Sequence, residues 1–145
     1  MNKTGPTQPR DPENARDEDA IAFARGIFDL ARNGGSTLLA PLLEAGVPVD
    51  MRTSEGDTLL MLAARQGHKT TTELLIARGA DPDQQNHQQR TPLMEAAIAD
   101  HGELVSTLLS AGANAGLADG DGQTALALAR SAGADAALAH LEAVR

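Results

Sequence analysis

The 145-residue chain contains no cysteine, tryptophan or tyrosine, and Phe23 and Phe28 are its only aromatic residues. The absence of cysteine excludes disulfide bonds, thiolate zinc sites and cysteine nucleophiles, and it fits the cytosol and the periplasm equally. Leucine, alanine, valine, isoleucine and methionine must therefore build the core, which favours helices that pack closely through small residues. A binding surface would also lack the aromatic anchors that often dominate affinity.

Positive charge is scarce as well, because Lys3 and Lys69 are the only lysines and the formal net charge is −8. Nucleic-acid binding needs clustered basic residues, so we expect no nucleic-acid partner. The acidic balance also disfavours anionic membranes and suits a basic partner. The N-terminal residues contain no apolar stretch, and no later run is long enough to span a bilayer. We therefore expect a cytoplasmic protein with no membrane attachment.

What the chain does contain is a repeat with a period of 33 residues, a spacing typical of stacked repeat architectures. Thr58, Thr91 and Thr124 each precede an apolar run, where a threonine hydroxyl can cap the first free amides of a helix. The tripeptide RGA at 78–80 recurs as AGA at 111–113, with the same spacing. Its glycine is placed to end a second helix in a left-handed conformation.

Several short motifs share the register of this period and carry a resemblance to the ankyrin repeat family: Thr-Pro-Leu at 91–93, the alanine pair at 96–97, Gly-His at 67–68, Leu-Leu at 74–75 and 108–109, and Gly-Ala-Asp at 79–81. The resemblance covers about residues 20–145. It implies an all-α, ankyrin-repeat solenoid of about four stacked helix-turn-helix units with hairpin-like finger loops. The predicted organisation is a disordered tail at 1–16, followed by units at about 17–56, 57–89, 90–122 and 123–145.

The terminal units and two single positions depart from the family pattern. The first unit is degenerate and the last is short, as in capping repeats that present a polar outer face. Pro41 predicts a late start or a kink in its helix, and Gln89, which replaces a turn glycine, predicts a distorted hairpin. The first helix is predicted at 17–33, with an apolar face formed by Ile21, Ala24, Phe28 and Ala31.

Catalytic and metal chemistry finds little support in the sequence. Glu95, within TPLMEAAIADH at 91–101, has no partner carboxylate or nucleophile that the sequence places in reach. We interpret it as a concave-face residue whose carboxylate points outward, toward a partner. His68 and His101 share a repeat position that the family uses structurally, and they lack further ligands at metal-binding spacing. DGDGQ at 119–123 lacks the later residues of a calcium loop, so we interpret it as a turn. No enzyme activity, metal or cofactor is expected.

The resemblance implies that another protein binds on the concave side, which is formed by the fingers and the first helix of each unit. The finger at 84–90, QQNHQQR, is rich in long hydrogen-bonding side chains and is our candidate for the centre of the contact surface. Arg52, Arg65 and Arg90 would have to serve as its anchors. Carried over residue by residue, the predicted partner-binding residues are Arg32, Asn33, Arg52, Ser54, Glu55, Asp57, Arg65, Gln66, Gln85, His87, Gln88, Arg90, Glu95, Ile98, Asp121 and Gln123.

The leading expectation is therefore a monomeric, non-enzymatic protein-protein interaction module that acts as an adaptor or regulator. The alternative is an inhibitor or immunity-type protein that blocks a specific enzyme or toxin, because an acidic chain suits a basic target. The low lysine content and the high alanine and arginine content indicate a bacterial source.

Overall fold

A computed structural model describes residues 12–144 of the chain. The predicted tail therefore falls mostly outside the described residues, and the first helix begins at Pro12 rather than at residue 17. Proline suits a first helical position, where its missing N–H costs no hydrogen bond. The helices are α1 (Pro12–Asn33), α2 (Ser36–Glu44), α3 (Leu59–Gln66), α4 (Lys69–Ala77), α5 (Pro92–Ile98), α6 (Gly102–Ser110), α7 (Ala125–Ala132) and α8 (Asp135–Glu142).

The helices form two rows, as expected of a solenoid. In the inner row α1, α3, α5 and α7 pack against one another in succession, and in the outer row α2, α4, α6 and α8 do the same. Each inner helix also packs on the outer helix that follows it in the chain. Between residues 12 and 144 the only β-type pairings are two isolated bridges in the loops. The all-α, helix-turn-helix prediction is thus confirmed.

The predicted threonine caps begin three of the four inner helices. The side-chain oxygens of Thr58, Thr91 and Thr124 each accept a hydrogen bond from the backbone N–H three residues further on, at 3.2, 3.2 and 3.3 Å. Each bond satisfies one of the helix amides that has no intrahelical partner. The capping prediction is confirmed, and it explains why the apolar run after each threonine starts a helix.

The finger turns follow one geometry, including the turn without glycine. Gly56, Gln89 and Gly122 occupy equivalent positions with φ of 84°, 64° and 80°. The predicted distortion at Gln89 is therefore wrong. The side chain of Asn86 holds this turn, because its Oδ1 accepts hydrogen bonds from the N–H groups of Gln88 and Arg90 at 2.9 and 3.0 Å.

The first unit departs from its predicted packing. Among the described side chains of α1, Ile27 and Ala31 are buried, whereas Ile21, assigned to the apolar face, is 52% exposed. Phe23 and Leu38 are exposed too, so the predicted polar outer face is wrong for this end. Helix α2 begins at Ser36 without a late start, and Pro41 lies inside it on the exposed side.

Helix α4 carries two buried hydroxyls, those of Thr71 and Thr72, that make no hydrogen bond. Valine occupies the position equivalent to Thr72 in the next unit, at Val105. Because an unsatisfied buried hydroxyl is destabilising, Thr72→Val is expected to raise the free energy of unfolding by about 1 kcal/mol in urea denaturation. The control, Thr70→Val on the exposed side of α4, should change it by less than about 0.5 kcal/mol. A loss of stability on Thr72→Val would contradict this account.

Candidate functional site

The three fingers lie at 47–57, 80–90 and 113–123, and the concave side carries a cleft between the first two, above α3 and α5. We call it the finger cleft; its volume is about 350 Å³. It contains both buried and exposed polar side chains, and all of its lining residues except Asn86 belong to the predicted contact set. They are Glu55, Asp57, Arg65, Asn86, His87, Gln88, Arg90 and Glu95.

The floor of the finger cleft is an ionic network that links two units. Arg65 donates from Nε to Glu95 Oε1 and from Nη2 to Glu95 Oε2, both at 3.1 Å, and from Nη2 to Asp57 Oδ1 at 3.0 Å. Asn86 Nδ2 donates to the same Asp57 oxygen at 2.8 Å. The side chains of Asp57 and Glu95 are only 6% and 7% exposed. The network therefore fixes α3, α5 and the second finger relative to one another.

Burial and pairing act on Arg65 in opposite directions. Desolvation lowers the pKa of its guanidinium. The hydrogen bonds that Arg65 donates to Glu95 and Asp57, together with the negative charges of these two residues, outweigh that effect and raise the pKa above its ordinary value. Arg65 is therefore charged throughout the neutral range, and the two buried carboxylates keep their counter-charge.

The predicted outward direction of Glu95 is wrong. Its carboxylate lies across the interface between α5 and α3, where Arg65 forms a bidentate pair with it. A buried carboxylate needs such a partner, because moving a charged group out of water is costly when nothing pairs with it. Asp57, also predicted to contact a partner, is equally committed to the network. Both residues support the surface from below instead of projecting from it.

Arg52 and Gln85, two further predicted contact residues, connect neighbouring fingers. Arg52 Nη1 donates to the carbonyls of Gly56 in its own finger and Gln85 in the next, at 3.3 and 2.9 Å. Gln85 Nε2 repeats this one unit later, donating to the carbonyls of Gln89 and Ala118 at 2.7 and 3.0 Å. The same repeat position thus holds each finger to its successor.

The rim of the finger cleft is different, because its side chains have no partner within the described residues. His87 and Gln88 are exposed at the tip of the second finger, and Arg90 is half-buried beside them. Their side chains are free to bind a molecule outside the chain. The backbone beneath them is fixed, since the N–H of His87 donates to the carbonyl of Glu55 at 3.1 Å.

The remaining predicted residues lie along the concave side outside the finger cleft. Arg32 is paired with Asp29 at 2.8 Å at the end of α1, and Ile98 packs against the hydrophobic core. Gln123 is half-buried in the third finger. The others are exposed: Asn33, Ser54, Gln66 and Asp121. The structure therefore brings the central residues of the predicted surface together at the finger cleft, whereas the residues at its two ends lie outside the cleft.

His68 and His101 have the structural role that the sequence predicted. Each precedes an outer helix. The Nε2 atom of His68 lies 2.9 Å from the carbonyl oxygen of Arg32, and that of His101 lies 3.3 Å from the carbonyl oxygen of Arg65, each in the preceding unit. Across the described part of the chain, no three histidine, aspartate or glutamate side chains are grouped as metal ligands.

Stacked helix pairs with projecting, polar-tipped loops define a repeat scaffold. A sequence model of ankyrin repeats, three copies long, matches residues 27–119. The chain belongs to the ankyrin repeat family, whose members are generally protein-protein interaction modules.

A Pseudomonas aeruginosa protein whose name assigns it to the ankyrin repeat proteins is 43% identical over 53 residues. The matched segment is 37% of this chain and 31% of that relative, so the chain spans about a third of the relative's length. Within residues 12–144, no helix combines the length and the apolar character that crossing a membrane requires.

Proposed function

We propose that this chain is a non-enzymatic protein-binding module, an adaptor or regulator that binds one protein partner through its fingers and concave face. The observation that carries the proposal is the rim of the finger cleft, where His87, Gln88 and Arg90 present polar side chains without a partner among the described residues. Membership of a family of interaction modules supports it. A monomeric, cytoplasmic protein of bacterial origin belongs to the same proposal, and the Pseudomonas relative supports that origin.

The rigid base under the rim favours binding. Association costs less free energy when the contact residues are already held in their bound arrangement. Here the network at Arg65 and the links from Arg52 and Gln85 hold the fingers before any partner arrives. Arg90 is the arginine of the finger cleft that remains uncommitted, and arginine is enriched among residues that dominate binding energy.

The decisive variant removes the rim and spares the base. We expect His87→Ala/Gln88→Ala/Arg90→Ala to capture about tenfold less of the partner than the unmodified chain in a quantitative pull-down from the native cell. The control variant Glu73→Ala/Ser110→Ala/His140→Ala removes three exposed side chains from the outer helices. It should capture as much as the unmodified chain. Full capture by the rim variant, with its circular dichroism unchanged, would refute the proposal.

The inhibitor or immunity-type alternative has one favouring observation, the net charge of −8. An acidic protein associates rapidly with a basic enzyme or toxin. The activity of the captured protein should be measured with and without an equimolar amount of this chain. Loss of that activity would favour the inhibitor, whereas unchanged activity would favour the adaptor.

A further inference from the structure

We propose that the finger cleft is a subsite for a basic side chain, an arginine or lysine of the partner protein. This inference rests on the proposed function and deepens it. The carboxylates lining the finger cleft are those of Glu55, Asp57 and Glu95, and the guanidinium groups are those of Arg65 and Arg90. With His87 uncharged, the finger cleft therefore carries one more negative than positive charge.

Asp57 supplies the buried acceptor. The residue is 4% exposed, and its Oδ1 accepts hydrogen bonds from both Arg65 and Asn86. Its Oδ2 accepts none from the described residues and is not fully enclosed by the protein, and Asp57 lines the finger cleft. That oxygen therefore opens into the finger cleft, where a charged donor from outside the chain would form a strong hydrogen bond.

Glu55, which also lines the finger cleft, supplies a second carboxylate. Glu55 is exposed, and its side chain has no partner in the described part of the chain. A guanidinium group donates in a planar fork and a lysine ammonium donates in three directions, so either can serve two carboxylates. On the floor, Arg65 balances only one of the two charges of Asp57 and Glu95. A second cation completes the pairing.

An acidic side chain fits the same space less well. It would meet Arg90, but it would also approach Glu55 and the open oxygen of Asp57, and like charges brought together at an interface are unfavourable. Arg90 also borders a second cleft, whose lining includes Asp119 and Asp121. Arg90 therefore lies between two groups of carboxylates, and the finger cleft keeps its preference for a cation.

The test uses small probes on the full chain, so it needs no identified partner. Nα-acetyl-arginine amide and Nα-acetyl-lysine amide are titrated into ¹⁵N-labelled protein, and Nα-acetyl-citrulline amide serves as the uncharged analogue. We expect saturable shifts of the amides of Glu55, Asp57 and Asn86, with about tenfold weaker binding of citrulline. Equal binding of citrulline, shifts elsewhere only, or tighter binding of Nα-acetyl-glutamate amide would overturn the inference.

Variants of the lining separate binding from folding. Glu55→Gln changes an exposed side chain that holds nothing in place, and we expect it to weaken the arginine probe about fivefold. Asp57→Asn should weaken it about tenfold, but it also touches the network, so Glu55→Gln is the decisive variant. Glu73→Gln removes the same charge from an outer helix and should leave the affinity unchanged. Unchanged affinity on Glu55→Gln would overturn the inference.

The two proposals fail separately. If the rim variant loses partner capture but no basic probe binds the finger cleft, the inference is wrong and the proposed function stands. If the probes bind as expected but the rim variant captures the partner fully, the subsite stands as a cation site. The proposed contact surface is then wrong.

Discussion

Replacing Arg65 with methionine is expected to lower the free energy of unfolding by about 3 kcal/mol, measured by urea denaturation at neutral pH. The change keeps much of the side chain's apolar stem but removes the charge that serves both Asp57 and Glu95. Two buried carboxylates would then face each other without a cation. Removing one member of a buried ionic network is costly for this reason, and Arg65 at 35% side-chain exposure places the loss at the lower end of the usual range.

Glu95→Leu is the matched control. Leucine occupies the equivalent position in two other units, at Leu62 and Leu128, so the site accepts its shape. This variant leaves Arg65 paired with Asp57 alone, and we expect a loss below about 1 kcal/mol. The double variant should lose less free energy of unfolding than the sum of the losses of the two single variants. A larger loss from Glu95→Leu than from Arg65→Met would contradict this account of the network.

The contribution of Arg65 to stability has a defined pH dependence. In the unmodified chain the folded-state pKa of Arg65 is raised, so its contribution is complete below the unfolded pKa and is lost only as the pH rises through the folded pKa, in strong alkali. At neutral pH the contribution is therefore constant.

Gly67→Ala is expected to lower the free energy of unfolding by about 3 kcal/mol. Gly67 ends α3 with φ of 81°, a conformation that costs a residue with a Cβ atom about 1 kcal/mol. An added Cβ would also lie 2.8 Å from Cε1 of the His101 ring, so the ring would have to move.

Gly133→Ala provides the comparison that separates the two causes. Gly133 occupies the same repeat position with φ of 68°, but nothing lies within 4 Å of an added Cβ. We expect this variant to lose only about 1 kcal/mol, from the backbone alone. Combining Gly67→Ala with His101→Ala should recover part of the larger loss. Equal losses at the two glycines would show that the ring contact has no energetic weight.

The unit between these glycines carries the natural counterpart of this experiment. Asp100 stands at the equivalent position with φ of 62°, and the residue one unit after His101 is Ala134. At Asp100, where no histidine ring follows in the next unit, a side chain is therefore accommodated. The Asp100 carboxylate uses that room, because its Oδ1 accepts a hydrogen bond from the N–H of Ala137 in α8 at 3.1 Å.

Most of the fold could be predicted from the sequence because its determinants are local and repeat. Thr58, Thr91 and Thr124 cap their own helices, and the period places each unit against the next without further information. The first unit was harder to predict because it lacks the threonine. Its helix periodicity did not distinguish Ile27, which is buried, from Ile21, which is exposed.

The sequence predicts which part of the chain forms the candidate site, but not which side chains in it are paired with one another. Residues such as Arg52 and Asp57 look like exposed contacts when each finger is considered alone. Their hydrogen bonds reach the next unit, 33 and 29 residues away in the chain. Asn86 was missed because it lies in a polar finger. Its alignment with Thr53 and Asp119, whose side chains hold the other turns, was the available signal.

The most direct test of the central claim, that the fingers around the cleft contact the partner, is amide hydrogen exchange with and without the captured protein. Binding should slow exchange at Glu55 and at residues 87–90, and it should leave α4, α6 and α8 unchanged. Protection of the outer helices with unchanged exchange in the fingers would contradict the account.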